Sequence, residues 1–107
     1  MSAIRLVVFD CDGTLVDSQA VIVGCMRQAF ETQGLEPPPA QAVRRVVGLS
    51  LVTAVLELMP EPDTVRVERL ADGYRAAFLA RRDQPDYDES LFPGAVQLLD
   101  TLAGAGF

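Results

Sequence analysis

Two aspartates, Asp10 and Asp12, follow a short apolar run at residues 6–9 and are separated by a single residue. In an extended chain, residues i and i+2 point to the same side and lie about 6.5–7 Å apart along the strand. Both carboxylates would therefore face one pocket if the strand continued, and open α/β sheets bind ligands beyond the carboxyl ends of their strands. One carboxylate of such a pair can attack as a nucleophile while the other serves first as acid and then as base. The pair would also attract a hard cation such as Mg²⁺, which takes oxygen ligands.

The same residues also fit a simple turn, because Asp and Gly are common where a strand ends and Gly13 follows Asp12 directly. A calcium loop is excluded, since D-x-D would have to continue with x-[DN]-G. No phosphate loop of the form GxxxxGK[ST] occurs in the sequence. A structural turn and an acid–base site with a cation both remain open at this point.

The charge balance narrows the choice of partners. Lys and Arg total 9 and Asp and Glu total 15, which gives a net charge of −6 and a pI near 4.4. Because no basic stripe is present, we expect no nucleic-acid partner. The negative charge also works against binding an anionic substrate unless a cation or a local site offsets it. The sequence has no histidine, so histidine cannot act as a general base or metal ligand in this chain.

The cysteines and the apolar runs favour a cytoplasmic protein. Cys11 and Cys25 form no CxxC pair, so we expect no disulfide framework, and a reducing cytosol fits better. We expect no signal peptide, since the N-terminal apolar run ends at Asp10, and no membrane partner, since no apolar run approaches ~20 residues. Strand alternation points Cys11 away from the pocket into sheet packing, and helical periodicity places Cys25 in the core.

The pattern of apolar and turn residues predicts one strand and five helices. The strand covers residues 6–9, and its continuous apolar character is typical of a central strand in a parallel sheet. The predicted helices cover residues 17 or 18 to 33, 40–47, 51–59, 64–82 and 93 to 104 or 106. One strand cannot form a sheet, so we expect this chain to be part of something larger or to pair with another chain. For the isolated chain we expect low stability or self-association.

The string VVFDCDGTLVDS, residues 7–18, resembles motif I of the haloacid dehalogenase-like (HAD) hydrolases, in which four hydrophobic residues precede DxDGT[LV]. The resemblance extends to subfamily I, whose inserted helical cap ends in a [FY]PG segment, here LFPG at residues 91–94. It implies an α/β fold: a partial Rossmann-like core with an inserted α-helical cap. Residues 1–16 would hold the first core strand and motif I, residues 17–89 the cap, and residues 90–107 the return to the core, with a helix leading to the next strand.

The resemblance implies a role for each motif residue. Asp10 would be the nucleophile that forms an aspartyl-phosphate, and Asp12 would protonate the leaving alcohol and then activate the hydrolytic water. The Asp10 carboxylate and the Asp12 backbone carbonyl would hold Mg²⁺. Thr14 would help to order the turn and would bind substrate. The dehalogenase branch lacks an acid at the position of Asp12, so the resemblance favours phosphoryl transfer.

Two cap segments, VRRVVGLSL and ADGYRAAF, look like segments of phosphoglycolate phosphatase-like members. We expect Arg45 to bind a substrate carboxylate. Arg44, Tyr74 and Arg75 could also reach it, although a solvent-facing helix surface is the alternative for all four residues. Leu51 stands where the related β-phosphoglucomutases have an arginine, and no histidine lies near the hinge, which counts against a sugar phosphomutase.

The resemblance covers nearly all of this chain but only about half of a family member. The later motifs of the family are a Ser or Thr on the next core strand, a Lys and an acidic pair, and none lies within residues 1–107. The predicted function is hydrolysis of small phosphomonoesters, with phosphoglycolate as the leading substrate and a small phosphorylated metabolite as partner. A pyrophosphatase or sugar phosphomutase remains an alternative, as does an inactive truncated fragment or a helical interaction module.

Overall fold

The computed structural model describes residues 3–61 and 63–107. This part of the chain contains β1 Val16–Asp17, α1 Gln19–Thr32, α2 Ala40–Val46, α3 Leu51–Leu58, α4 Thr64–Arg82, β2 Ser90–Leu91 and α5 Ala95–Gly104. None of these helices has the length and apolar content of a membrane span.

The chain divides into two compact units. The terminal unit comprises the described residues up to Ser18 together with Glu89–Phe107, and the helical unit comprises Gln19–Asp88. Whether residues 17–89 act as a cap, flanked by core segments 1–16 and 90–107, stays a prediction.

The helical unit is built around α1 and α4, which bury apolar residues against each other. On α1, Cys25, Met26, Ala29 and Phe30 are buried at the i, i+1, i+4, i+5 spacing of one helical stripe. The core cluster consists of Met26, Ala29, Phe30, Val43, Val55, Met59, Val67 and Leu70. A Cβ built at Gly73 of α4 would lie 3.6 Å from the Ala29 Cβ, so the two helices approach closely there. The prediction that Cys25 belongs to the core is confirmed.

Side-chain caps set where two of these helices begin. Ser50 precedes α3, and its hydroxyl oxygen accepts a hydrogen bond from the Thr53 N–H at 3.4 Å. Asp63 precedes α4, and its carboxylate accepts from the N–H groups of Val65 and Arg66 at 2.9 and 3.4 Å. Each cap satisfies N–H groups that the first helical turn leaves without an intrahelical partner. The helix starts predicted at residues 51 and 64 are confirmed.

The prediction of a strand at residues 6–9 is wrong. Residues 3–11 belong to no strand of the described chain, and Leu6 and Val8 are 76% and 82% exposed. The prediction assumed a central strand covered on both faces, whereas a strand exists only where neighbouring backbone groups pair with it. Cys11 was predicted to pack inside that sheet and is exposed for the same reason.

A short two-stranded ribbon connects the two segments of the terminal unit by backbone hydrogen bonds. The sequence pattern did not predict it. β1 and β2 pair antiparallel, in the register Val16↔Leu91 and Asp17↔Ser90. The Phe92 N–H extends the contact by donating to the Leu15 carbonyl at 2.9 Å. The ribbon therefore fixes the backbone just beyond Asp12.

Candidate functional site

Residues 10–18 of the terminal unit form a tight hydrogen-bonded turn. The Cys11 carbonyl accepts from three N–H groups, those of Thr14, Leu15 and Val16, at 3.2, 2.9 and 3.0 Å. The Gly13 N–H donates to the Val16 carbonyl at 2.9 Å, and Gly13 has a φ of 77°. Glycine takes this left-handed conformation without the steric cost of a Cβ, so Gly13 sets the direction of the turn.

Asp10 presents its carboxylate to solvent at the start of the turn. Its Oδ1 accepts a hydrogen bond from the Cys11 backbone N–H at 2.9 Å. Within residues 3–61 and 63–107, this is the one hydrogen bond or ion pair of the Asp10 side chain. The second carboxylate oxygen is therefore open to an incoming group, as a nucleophile requires.

Asp12 is held by a residue that lies six positions further along the chain. The Ser18 hydroxyl donates to Asp12 Oδ1 at 3.0 Å. Ser18 is 3% exposed whereas Asp12 is exposed, so the bond connects a buried hydroxyl to a solvent-facing carboxylate. Sequence reasoning missed this contact, because neither helical nor strand periodicity brings residues six apart together. The turn and the ribbon create it.

The other predicted substrate-binding residues lie in different parts of the chain. Thr14 lies in the turn and is exposed, and its N–H bond to the Cys11 carbonyl helps to order the turn. Arg45 is exposed near the end of α2 in the helical unit, as is Arg44. Substrate contacts by Thr14 and Arg45 stay predictions.

Two further candidates on α4 already have partners within the helical unit. Arg75 forms an ion pair with Asp72 at 3.0 Å, and both side chains are exposed. The Tyr74 ring stacks on Phe78 with 6.3 Å between ring centroids, and Tyr74 also packs against the core cluster. These contacts favour a surface role for Arg75 and a packing role for Tyr74.

The oxygen atoms of Asp10 and Asp12 are of the type that Mg²⁺ binds, and they would supply part of its coordination shell. The Asp10 carboxylate and the Asp12 carbonyl offer hard oxygen ligands, and Mg²⁺ usually takes one or two carboxylates together with waters and substrate phosphates. In the described ranges 3–61 and 63–107, no group of three or more His, Cys, Asp and Glu is placed to hold a metal ion. The two aspartates fit a magnesium site that water, substrate or further ligands would complete.

The two cysteines differ in environment. Burial raises the pKa of the Cys25 thiol above its ordinary value, and the nearby Arg81 guanidinium offsets part of that rise. The thiolate is the reactive form of cysteine, so Cys25 is a structural residue with low reactivity. Cys11 is a free thiol exposed between the two aspartates.

Comparisons with known proteins find a matching family model and several related sequences. The sequence model of the haloacid dehalogenase-like hydrolases matches residues 7–107. The chain is 34% identical over 105 residues to the "Probable phosphatase IndB" of Dickeya dadantii, an alignment that covers 95% of this chain and 44% of that protein. It is 34% identical over 110 residues to the phosphoglycolate phosphatase of Caulobacter vibrioides, with 94% and 43% covered.

A solved structure gives the same result. The crystal structure of a "Putative haloacid dehalogenase-like hydrolase" from Bacteroides fragilis matches with a TM-score of 0.75 at 26% identity. The match covers 91% of this chain and 45% of that one. The chain therefore spans less than half the length of the relatives it matches.

Proposed function

The chain belongs to the haloacid dehalogenase-like hydrolase family, and we propose that the complete protein hydrolyses small phosphomonoesters through an aspartyl-phosphate on Asp10. Its fold is the α/β fold of that family, of which this chain carries a partial core and the helical insert. By the complete protein we mean these residues together with any further sequence that the gene encodes. The observation that carries the proposal is that one turn presents two exposed carboxylates, of which Asp10 keeps one oxygen without a hydrogen bond and Asp12 is held by Ser18.

In the first half-reaction, Asp10 attacks the phosphorus of the substrate. A bond forms between a carboxylate oxygen and phosphorus, the ester P–O bond breaks, and the departing alcohol oxygen takes a proton from the Asp12 carboxyl group. The Cys11 N–H holds one oxygen of Asp10 and leaves the other free to react. The products are the alcohol, the aspartyl-phosphate and an ionised Asp12.

In the second half-reaction, Asp12 takes a proton from water, and that water attacks the phosphorus of the aspartyl-phosphate. Inorganic phosphate leaves, Asp10 returns to its carboxylate form and Asp12 is protonated again. Bound Mg²⁺ would supply positive charge that offsets the negative charge of the phosphoryl group. The net charge of −6 on these 107 residues works against binding a phosphate, and such a cation would offset it locally.

Phosphoglycolate is the substrate that we propose first. The resemblance to the phosphoglycolate phosphatase of Caulobacter vibrioides supports this choice. So does Arg45, whose exposed guanidinium has no ion-pair partner within the described part of the chain and could pair with a substrate carboxylate. A pyrophosphatase remains the alternative, and Leu51 still counts against a sugar phosphomutase.

We expect residues 1–107 alone to turn over little substrate. The later Ser or Thr, Lys and acidic pair that the family resemblance requires are not among them, and losing one preorganised contact of this type typically costs about 10²–10³ in rate. A cytoplasmic location and self-association of the isolated chain are also proposals. The exposure of large apolar side chains in the terminal unit, such as Leu6, Val8 and Val96, supports self-association.

The test of the proposed function measures phosphate release by the complete protein from 4-nitrophenyl phosphate and from phosphoglycolate, with Mg²⁺ and with EDTA. We expect turnover only with Mg²⁺. We expect Asp10→Asn to lower kcat/KM by at least about 10³-fold, because an amide cannot form the acyl phosphate. Asp100→Asn makes the same chemical change at an exposed position on α5 and should keep wild-type activity. Turnover by the Asp10→Asn protein would contradict the assigned nucleophile, and turnover that EDTA leaves unchanged would contradict the assigned cation.

A further inference from the structure

Ser18 is the one polar or charged side chain that is buried in the described part of the chain. Its hydroxyl lies 3.0 Å from Asp12 Oδ1. A hydroxyl carries a single proton, and Asp12 Oδ1 accepts it whether the acid proton sits on Oδ2 or has been transferred. The side-chain proton of Ser18 is therefore engaged by Asp12 in both states.

The backbone on both sides of this contact is fixed. Ser18 directly follows β1, which pairs with β2, and the Phe92 N–H bond to the Leu15 carbonyl lengthens that ladder. On the other side, the Cys11 carbonyl accepts three N–H groups of the turn that contains Asp12. The serine and the aspartate therefore belong to two segments that are each tied down by main-chain bonds.

We propose that Ser18 is a positioning residue, which holds Oδ1 of Asp12 so that Oδ2 meets the leaving-group oxygen of the substrate. This inference rests on the proposed function, in which Asp12 protonates the leaving alcohol. A carboxylate on an exposed side chain would otherwise rotate about its terminal torsion, which is broad and roughly two-fold. One hydrogen bond from a buried donor restricts that rotation and leaves the second oxygen for proton transfer.

Comparing substrates with different leaving groups distinguishes a positioning role of Ser18 from a purely structural one. An alkoxide leaves slowly without a proton, whereas 4-nitrophenolate leaves readily without one, and kcat/KM reports the steps through alcohol release. We expect Ser18→Ala to lower kcat/KM of the complete protein for phosphoglycolate by about 10- to 100-fold, the factor that a hydrogen bond to a charged group supplies. For 4-nitrophenyl phosphate we expect a loss below about 3-fold. Ser18→Thr keeps the hydroxyl and should restore most of the loss.

Ser50→Ala is the matched control. The Ser50 hydroxyl also forms short-range hydrogen bonds, to the Thr53 side chain at 2.8 Å and from the Thr53 N–H, but it caps α3 and makes none to Asp12. This variant should lower the melting temperature while leaving the ratio of alkyl to aryl kcat/KM unchanged. If Ser18→Ala shows no cooperative melt, Ser18→Cys replaces it, and its ratio of alkyl to aryl kcat/KM decides the question. Cysteine nearly conserves the side-chain volume and is only a weak hydrogen-bond donor.

The wild-type and Asp10→Asn proteins, assayed on the same two substrates, decide the proposed function separately. If wild-type protein is inactive, or Asp10→Asn is active, the proposed function fails and this inference fails with it. If both behave as expected, an equal loss on both substrates in Ser18→Ala, or no loss on either, overturns the role of Ser18 alone. A selective loss on the alkyl substrate that Ser18→Thr rescues supports it.

Discussion

The close approach of α1 and α4 at Gly73 makes a sharp prediction for Gly73→Ala. Glycine inside a helix costs about 1 kcal/mol relative to alanine, chiefly because it loses more backbone entropy on folding. The added Cβ would lie 3.6 Å from the Ala29 Cβ and 3.7 Å from the Ala29 Cα, which is ordinary van der Waals contact. The new methyl group is partly buried and adds a fraction of the ~0.8 kcal/mol of a buried methylene. We expect Gly73→Ala to raise the free energy of unfolding by about 1–1.5 kcal/mol.

Gly24→Ala separates the two contributions. Gly24 lies inside α1 on an exposed face, and a Cβ there would meet nothing within 4 Å. This variant should gain only the propensity term of about 1 kcal/mol. Gly73→Val tests the opposite limit, because a branched side chain would press on the Ala29 backbone and should cost about 1–3 kcal/mol.

Urea denaturation followed by far-ultraviolet circular dichroism measures these differences, since the signal comes mainly from the helices. For a domain of this size, 1 kcal/mol corresponds to roughly 4–8 °C in melting temperature, which provides an independent check. Destabilisation by Gly73→Ala, with Gly24→Ala still stabilising, would refute the interhelical spacing on which the prediction rests. A tolerated Gly73→Val would mean that α1 and α4 lie further apart than the structure places them.

Three further predictions concern the core of the helical unit, the accessibility of the two thiols and the pH dependence of stability. Leu70 is 0% exposed, so Leu70→Ala should lower the free energy of unfolding, measured by urea denaturation, by about 2–5 kcal/mol. Leu56 is 40% exposed, and Leu56→Ala should lower it by less than about 1 kcal/mol. Equal losses in the two variants would contradict the assignment of Leu70 to the core. A thiol reagent should label the exposed Cys11 in the native chain, and it should label Cys25 only after unfolding. Peptide mass spectrometry would detect which cysteine carries the label. Labelling of Cys25 in the native chain would contradict its burial. Burial raises the pKa of the Cys25 thiol above its ordinary value, so the unfolded thiol loses its proton at a lower pH than the folded one. Stability should therefore be level below the ordinary pKa and fall as pH rises toward the raised pKa. Cys25→Ala should remove this slope, as urea titrations at each pH would measure.

The helices were predictable because their signals are local. Ser50 and Asp63 mark helix starts by accepting hydrogen bonds from N–H groups two or three residues later, and the apolar stripe of α1 repeats within one element. The ribbon of β1 and β2 was not predictable, because two-residue strands carry no periodicity and their partners lie more than seventy positions apart. The strand at residues 6–9 was predicted wrongly because its apolar sequence was taken to imply paired neighbours, and pairing is a property of the surrounding chain.

The candidate site was predictable only in part, for a related reason. The types and spacing of Asp10 and Asp12 indicate which chemistry they can perform, and their catalytic roles stay a prediction. The bond from Ser18 to Asp12 depends on how the chain turns at Gly13 and on what anchors the residues after it. The prediction for Cys11 failed because the alternation of side chains along a strand gives their direction only when a sheet defines two faces.

The pairing of Asp17 with Ser90 also has a consequence for how this chain can change. Residues 18–89 leave from Asp17 and return to Ser90, which are cross-strand neighbours, so their Cα atoms lie about 4.5–5.5 Å apart. A segment with such closely spaced ends can be lengthened, shortened or exchanged for another without altering the path of the flanking chain. The ribbon thus makes the helices a replaceable module, which can vary in length or sequence while the turn at residues 10–18 keeps its backbone path.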